Sequence, residues 1–507
     1  MNSLIQLFLD LLPIIWLIIS LGVFKMPAVK ATSIGLALTV LLSILGGKLT
    51  VTKTFLGALD GATMGLIVIS YVVVAALFAY NSASYSGNMR VIQNALSHVS
   101  TDPRILVLLV CWAFGAFLES VAGFGIAVAI PAGILISFNI KPIKASVISL
   151  LANTATTSFG AVGLPVITLA DVTKLNSQTL AIFVSLQLLL LCILVPFLLV
   201  LLVDSSFKEL KKIWYYPLTA GLVYGIVQLV VSYLLGPELP TIVASLATLI
   251  VLIMLAQRKN KSSVKQEKHT LTEIAVATAP FILIFSLVLV TSPLFPQINN
   301  FLNNFQIGFQ IYPGQDNGQT FSYLVSPGTI ILLSAIIGGL VQKVSLQEQL
   351  KILILTLKSI WKTIITVCAI VALAKVMDYS GMTTTLATSL VKGLGPIYPL
   401  FAPIIGAIGS FATGSNTSSN VLFGDLQLSA AKNLGVNKYW LVASNMAGST
   451  AGNMLSPQSI AVATTGVKLE GKEGIILKDA LKWAGLYLGV ICIFLYLIGL
   501  IFGMIRL

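Results

Sequence analysis

Charge is scarce in this sequence: Asp, Glu, Lys and Arg make up 9% of its 507 residues, against roughly a quarter in ordinary soluble domains. With 57% hydrophobic residues the chain cannot assemble a water-facing surface, which excludes a soluble globular protein. Histidine is rarer still. His98 and His269 are the only two, so a histidine-rich metal or catalytic cluster is excluded. The four cysteines, Cys111, Cys192, Cys368 and Cys492, lie in apolar runs without paired spacing, and neither a disulfide framework nor a zinc site is indicated. No Gly-rich loop ends in Gly-Lys-Ser/Thr, which disfavours ATP-driven transport by this chain alone. Gly123-Phe124-Gly125 echoes a dinucleotide fingerprint but lacks its strand context and last glycine. With no nucleophile motif either, an enzyme is disfavoured and no cofactor is implied. Met1 to Gln6 lack a basic stretch and no small-residue cleavage site follows, so the apolar run from Leu4 to Phe24 is expected to be a retained membrane helix.

What is present is a series of long apolar runs. A bilayer-spanning helix needs about 20 mostly apolar residues, and the sequence predicts twelve such spans near 3–23, 28–47, 61–83, 145–170, 177–203, 214–235, 240–256, 272–293, 326–341, 354–377, 439–463 and 480–503. Two regions, 105–138 and 398–430, are too long for one span. They are interrupted by Glu119-Ser120-Val121-Ala122-Gly123 and by the polar run from Thr413 to Asn420, and each is either two full helices or one re-entrant hairpin. Short cytoplasmic loops concentrate Lys and Arg, which arbitrates. With the N-terminus outside, Lys25, Lys30, Arg90, Arg104, Lys141, Lys144, Lys208, Lys211, Lys212 and the run from Arg258 to Lys268 all fall inside, provided that 105–138 re-enters. The connection from Thr291 to Ser326 has no Lys or Arg and is expected outside. Lys432 and Lys438 then also fall outside, against the trend. The net charge of +13 thus reads as topology signal and contact with anionic lipid headgroups; a nucleic-acid partner is excluded.

The chain also repeats itself. Tyr85-Ser86-Gly87 recurs as Tyr379-Ser380-Gly381, and Gly115 with Phe117 recurs at the same offset as Gly409 with Phe411. Asn153, Ala155, Gly160 and Pro165 reappear with identical spacing as Asn445, Ala447, Gly452 and Pro457. The expectation is an all-α polytopic membrane protein of two inverted-topology repeats, with about 12 transmembrane helices plus two re-entrant hairpins and broken helices. Repeat one covers 1–205 (five spans and hairpin 105–138), two connecting helices fill 206–256, a basic cytoplasmic linker covers 257–271, and repeat two covers 272–507 (five spans and hairpin 398–430).

Bare backbone N–H and C=O groups are costly in hydrocarbon, so breaks at mid-depth need a polar cavity. A half-helix beginning there offers N–H donors and partial positive charge to a carboxylate. The expected ligand is a small anion, held by Ser120, Asn153, Thr156, Thr157 and Ser158 in the first repeat and by Ser415, Asn416, Thr417, Asn445, Ser449 and Thr450 in the second. Helix–helix glue by hydroxylated residues is the alternative; duplication at four tips favours a binding site. Glu119 is an acid between two apolar runs, where ionisation is expensive. It is either a proton carrier, neutral when closed off and ionised when wetted, or a cap for the hairpin's N–H groups. Thr413 stands at its place in repeat two. Lys375 and Asp378 are spaced to pair on one helix face, as an interfacial ion pair in preference to a substrate lysine.

Gly115-Ala116-Phe117-Leu118-Glu119-Ser120-Val121-Ala122-Gly123-Phe124-Gly125, followed by Ile130-Pro131-Ala132, resembles the signature of the bacterial L-lactate permease family, as does Asn445-Met446-Ala447-Gly448 continuing through Asn453-Met454-Leu455-Ser456-Pro457-Gln458. The resemblance implies a multi-pass plasma-membrane symporter that takes up L-lactate, with D-lactate and glycolate, together with protons. It supports Glu119 and the broken segments without assigning their individual roles. The Ser415-Asn416-Thr417 tip is also similar to hairpins of sodium-coupled carboxylate transporters, so the coupling ion stays open between proton and sodium. A passive anion channel is a third reading, and the oligomeric state, homo-oligomer included, is not fixed by the sequence.

Overall fold

Backbone polar groups in hydrocarbon must be satisfied within the segment itself, and nearly every apolar run folds as a helix. The computed structural model describes residues 3–24, 26–97, 99–121, 123, 125–204, 206–259, 270–292, 294–313, 319–469 and 472–505. The chain opens with α1 (Ser3–Ile18) and α2 (Ala28–Leu45), then α3 (Val51–Met64) and α4 (Tyr71–Tyr85), joined by a π-helical turn at Gly65–Ser70, and α5 (Asn88–Ser97). The first expected hairpin is α6 (Pro103–Val107), a π-helical stretch, α7 (Gly115–Val121) and the returning α8 (Ile126–Ser137). Then come α9 (Pro142–Thr156), α10 (Gly160–Thr173), α11 (Ser177–Asp204), the short α12 (Phe207–Ile213) and the connectors α13 (Tyr215–Leu235) and α14 (Pro240–Lys259). The second half runs through α15 (Leu271–Thr291), α16 (Pro296–Asn303), α17 (Pro327–Val341), α18 (Leu346–Tyr379) and α19 (Met382–Leu394) to the second hairpin, α20 (Tyr398–Thr413) and α21 (Asn416–Leu434), and ends with α22 (Lys438–Leu455), α23 (Pro457–Gly466) and α24 (Glu473–Ile501).

The main departures from expectation lie at span ends and in one loop. The span expected at 61–83 runs from Val51 to Tyr85, and that at 354–377 from Leu346 to Tyr379. Both extensions mix polar with apolar residues over two to three turns and begin at caps: Thr50 accepts from Lys53 N at 3.3 Å, and Ser345 and Glu348 form a reciprocal capping box. The loop before α17 carries α16 and two antiparallel strands, β1 (Gln306–Phe309) and β2 (Gln319–Ser322), where Ile307 faces Phe321. Among the described residues this is the exception to an all-helical chain. Of the linker expected at 257–271, residues 260–269 lie outside the described residues.

The two hairpins pack reciprocally. Arm α8 lies against α9 of its own half and α23 of the other, while α21 lies against α22 and, across the molecule, α10. The same exchange relates α11 and α24, each touching both α9 and α22. Trp112, Tyr224, Trp440 and Tyr487 are buried in this core, whereas Phe55, Leu355 and Ile493 point outward, giving the apolar exterior that lipid requires. Near the start, Lys48 Nζ donates to Asp10 Oδ1 at 2.5 Å, and the Asp10 side chain is 1% exposed. Lys48→Ala strands that carboxylate and is expected to cost roughly 3–5 kcal/mol, read as a lower unfolding midpoint in detergent; an unchanged midpoint would show the pair to be incidental.

Candidate functional site

Four chain breaks converge because each is enforced locally. In hairpin one, α7 ends at Val121, and Gly123 and Gly125 take left-handed φ of 59° and 83°, a conformation open to glycine. A Cβ on Gly115 would lie 3.5 Å from Ala127 O, so α8 returns alongside α7 and the region is a hairpin. Hairpin two turns at Gly414, φ 72°, and restarts with Ser415 accepting from Ser418 N at 3.2 Å. Beyond α9 the chain tightens into a 3-10 turn at Thr157–Phe159. It then places Ala161, Val162 and Gly163 at φ 44°, 55° and 77°. Left-handed backbone at a β-branched valine is strained, by about 1–3 kcal/mol per residue. The fourth break is conventional: Ser456 accepts from Ser459 N at 3.1 Å and Pro457 opens α23.

All four meet at one cavity of about 240 Å³. Glu119, Gly123 and Gly125 come from hairpin one, Asn153, Thr157, Gly160, Ala161 and Pro165 from the first broken helix, Thr413 to Ser418 from hairpin two, and Asn453, Gln458, Ser459 and Val462 from the second broken helix. Lys362, Thr363 and Thr366 of α18 and Pro27 to Val29 close it. Glu119 is buried at 6% exposure, with Asn153 on the same cavity wall, and its Oε2 has no hydrogen-bond partner. A Cβ on Gly160 would sit 2.6 Å from Glu119 Oε1, so the acid lies directly against this break. Asn416 Nδ2 donates to Thr157 Oγ1 at 2.7 Å, tying hairpin two to the first broken helix, and Asn416 Oδ1 is buried without a partner.

The sequence-predicted residues divide into two groups. Glu119, Asn153, Thr157, Ser415, Asn416 and Thr417 line the cavity. Ser120, Thr156 and Ser158 stand behind it: Ser120 donates to Phe117 O at 2.7 Å, Thr156 bonds back to Asn153, and Ser158 is fully buried. Asn445, Ser449 and Thr450 also lie off the cavity wall. Asn445 Nδ2 donates to Asn420 Oδ1 at 3.0 Å, Ser449 to Met446 O, and Thr450 bonds Tyr487. The reason is that α22 stays helical through 449–452, where Gly448 and Gly452 press against the carbonyls of Pro403 and Ala407 in α20; the break falls later, at Ser456. Lys375 and Asp378 are off the wall too and form no ion pair with each other. Lys375 Nζ sits 5.6 Å over the Tyr379 ring, which Tyr312 stacks at 3.8 Å and which donates to Asp60 at 2.7 Å.

A family model described as L-lactate permease matches residues 6–502. The chain belongs to the L-lactate permease family. Among its relatives, an L-lactate permease of Streptococcus iniae is 45% identical over 442 residues, covering 86% of this chain and 93% of that protein. The glycolate permease GlcA of Escherichia coli (strain K12) is 32% identical over 97% of this chain and 95% of its own. The crystal structure of the YdaH transporter of Alcanivorax borkumensis superposes with a TM-score of 0.51 at 15% identity over 87% of each chain, a likeness of fold. This lactate permease family member is therefore a multi-pass protein of the bacterial plasma membrane, and a transporter in kind. Among the cavity residues that sequence reasoning missed are Lys362, Asn453, Gln458 and Ser459. The signals were present, as a lysine within an expected span and as Ser456-Pro457, a cap residue followed by first-turn proline.

Proposed function

We propose that the chain is a secondary active transporter that takes up L-lactate, with D-lactate and glycolate as further substrates, in symport with a proton. One observation carries this reading: hydroxyl and amide side chains from three of the breaks share a cavity with the carboxyl of Glu119, which comes from the fourth, and, among the described residues, with one lysine, Lys362. Relatives named for L-lactate and for glycolate match this chain over most of their length, and both ligands are small 2-hydroxy monocarboxylates. In this reading the substrate carboxylate meets Lys362 and the N-terminus of α21, where backbone N–H groups have no intrahelical partner. Amide and hydroxyl groups of Asn453, Gln458 and Ser459 are placed for the 2-hydroxyl. Glu119, beside Asn153 on the cavity wall, takes the proton that makes uptake of the anion electroneutral.

The inverted arrangement of the repeats belongs to the same proposal. Five spans, a hairpin that returns to its own side and two connectors bring repeat two into the membrane from the opposite face, and the reciprocal packing of α8 on α23 and α21 on α10 is what a pseudo-two-fold axis requires. The cavity is bordered by Pro27 to Val29, beside Lys30 on the side that loop charges mark as cytoplasmic, so this conformation opens inward. Alternating access follows by moving hairpins and broken helices against the remaining spans.

Reconstituted uptake tests the whole. Lactate and glycolate entry is expected to follow an imposed pH gradient, inside alkaline, without sodium; entry that ignores it and follows sodium would overturn proton coupling, and no uphill accumulation at all would favour a channel. Lys362→Gln is expected to raise KM for lactate about tenfold or more, the worth of one charge-assisted hydrogen bond, with a smaller change in maximal rate. An unchanged KM would remove Lys362 from the site.

A further inference from the structure

The strained break between α9 and α10 separates two cavities. Gly160 and Ala161 line the central one, whereas the next residue, Val162, lines a second cleft of about 250 Å³. One peptide link divides them. The wall is held from both faces: Gly160 abuts Glu119 Oε1, and a Cβ on Gly163 would collide with the carbonyl of Pro237, next to Glu238 N. The second cleft is otherwise built from helix ends and loops that the charge pattern puts outside, namely Asn176 to Gln178, Leu235 to Glu238, the end of α15, α16 and the start of α17.

That cleft is polar. Gln178 Nε2 donates to Tyr233 O at 2.6 Å, and Asn299 Nδ2 to Thr291 O at 2.6 Å, so it has both the room and the partners to hold water. Among the described residues that line it, Glu238 is the one ionisable group, and no cation forms an ion pair with it. Glu238 is part-buried and lines this wettable cleft without a counter-ion among the described residues, where water can deliver a proton to it. Glu119 stands on the opposite face of this wall from Gly160 to Gly163, whose left-handed backbone at Ala161 and Val162 is strained.

We propose that Glu238 is a second proton-binding residue, the entry point from which protons reach Glu119 across the Ala161-Val162-Gly163 wall. The proton taken from cleft water onto a Glu238 oxygen passes by way of water to the Glu119 carboxylate when the wall shifts, leaving Glu238 as a carboxylate to be reloaded from outside. Glu238 touches no substrate in this scheme; it feeds the residue that couples transport. The inference rests on the proton-coupled reading above.

The test compares two modes in proteoliposomes holding the full chain. Glu238→Gln is expected to slow pH-gradient-driven lactate uptake by roughly tenfold or more, while lactate exchange with equal substrate and equal pH on both sides stays within about twofold, since only net transport must reload the proton. Glu238→Asp, which keeps the carboxyl, is expected to recover most of the net rate and controls for folding. Net uptake within about twofold of the unaltered protein, or exchange falling in step with it, or no recovery by Glu238→Asp, would overturn the proposal. Failure of proton coupling itself shows separately, as an unaltered protein that ignores the pH gradient.

Discussion

Glu119→Gln is expected to abolish accumulation of lactate driven by a pH gradient, by roughly a hundredfold or more, while lactate exchange persists in part. Gln has nearly the shape of a protonated Glu and fits the same place beside Asn153 on the cavity wall, so the cavity should survive. What it cannot do is give up a proton. A carrier fixed in the proton-loaded form can shuttle loaded substrate in both directions but cannot return empty, and exchange outlasts net transport. Parallel uptake and counterflow measurements decide the matter. Accumulation equal to that of the unaltered protein would make Glu119 a cap for the hairpin and nothing more.

Gly448→Val is expected to have the largest effect on stability. A Cβ at Gly448 falls on the carbonyl of Pro403, and one at Gly452 on that of Ala407, so α22 and α20 touch backbone to backbone, as small residues permit in membrane bundles. Valine forces them apart at a cost of about 3 kcal/mol or more. Because α20 leads directly into the Ser415 tip, the displacement reaches the cavity as well. The unfolding midpoint in detergent should fall sharply, with Gly448→Ala between; a midpoint unchanged in the valine variant would mean that the two helices can separate without loss.

Much of this architecture was legible because hydrocarbon permits so few solutions. Twelve apolar runs and two overlong ones translate into spans and hairpins with little freedom, and the hairpin limits expected at 105–138 and 398–430 fall close to the observed Pro103–Ser137 and Tyr398–Leu434. The tips were legible for the same reason: Glu119, Asn153, Thr157 and the Ser415-Asn416-Thr417 turn are polar where polarity is expensive. The errors came from reading the repeat too literally. Asn445 aligns with Asn153, but the helix carrying it does not break at the same point, because Gly448 and Gly452 commit α22 to packing and Ser456-Pro457 supplies a better start for the next helix. Lys362 was hidden differently. A lysine within one helical span gives no hint of which face it occupies until the neighbours are placed, and Lys375, beside an acid, drew the attention instead.

The exchange of hairpin contacts between the halves constrains how the protein is made. The returning arm of hairpin one, complete at Ser137, packs against α23, which begins at Pro457. At synthesis rates of roughly 5–20 residues per second, the first hairpin waits on the order of tens of seconds for its partner. Through that interval a segment carrying Glu119 and an unfinished turn must sit at the edge of the insertion machinery or be shielded by a chaperone. The N-terminal half therefore completes its packing only once the C-terminal half has been made.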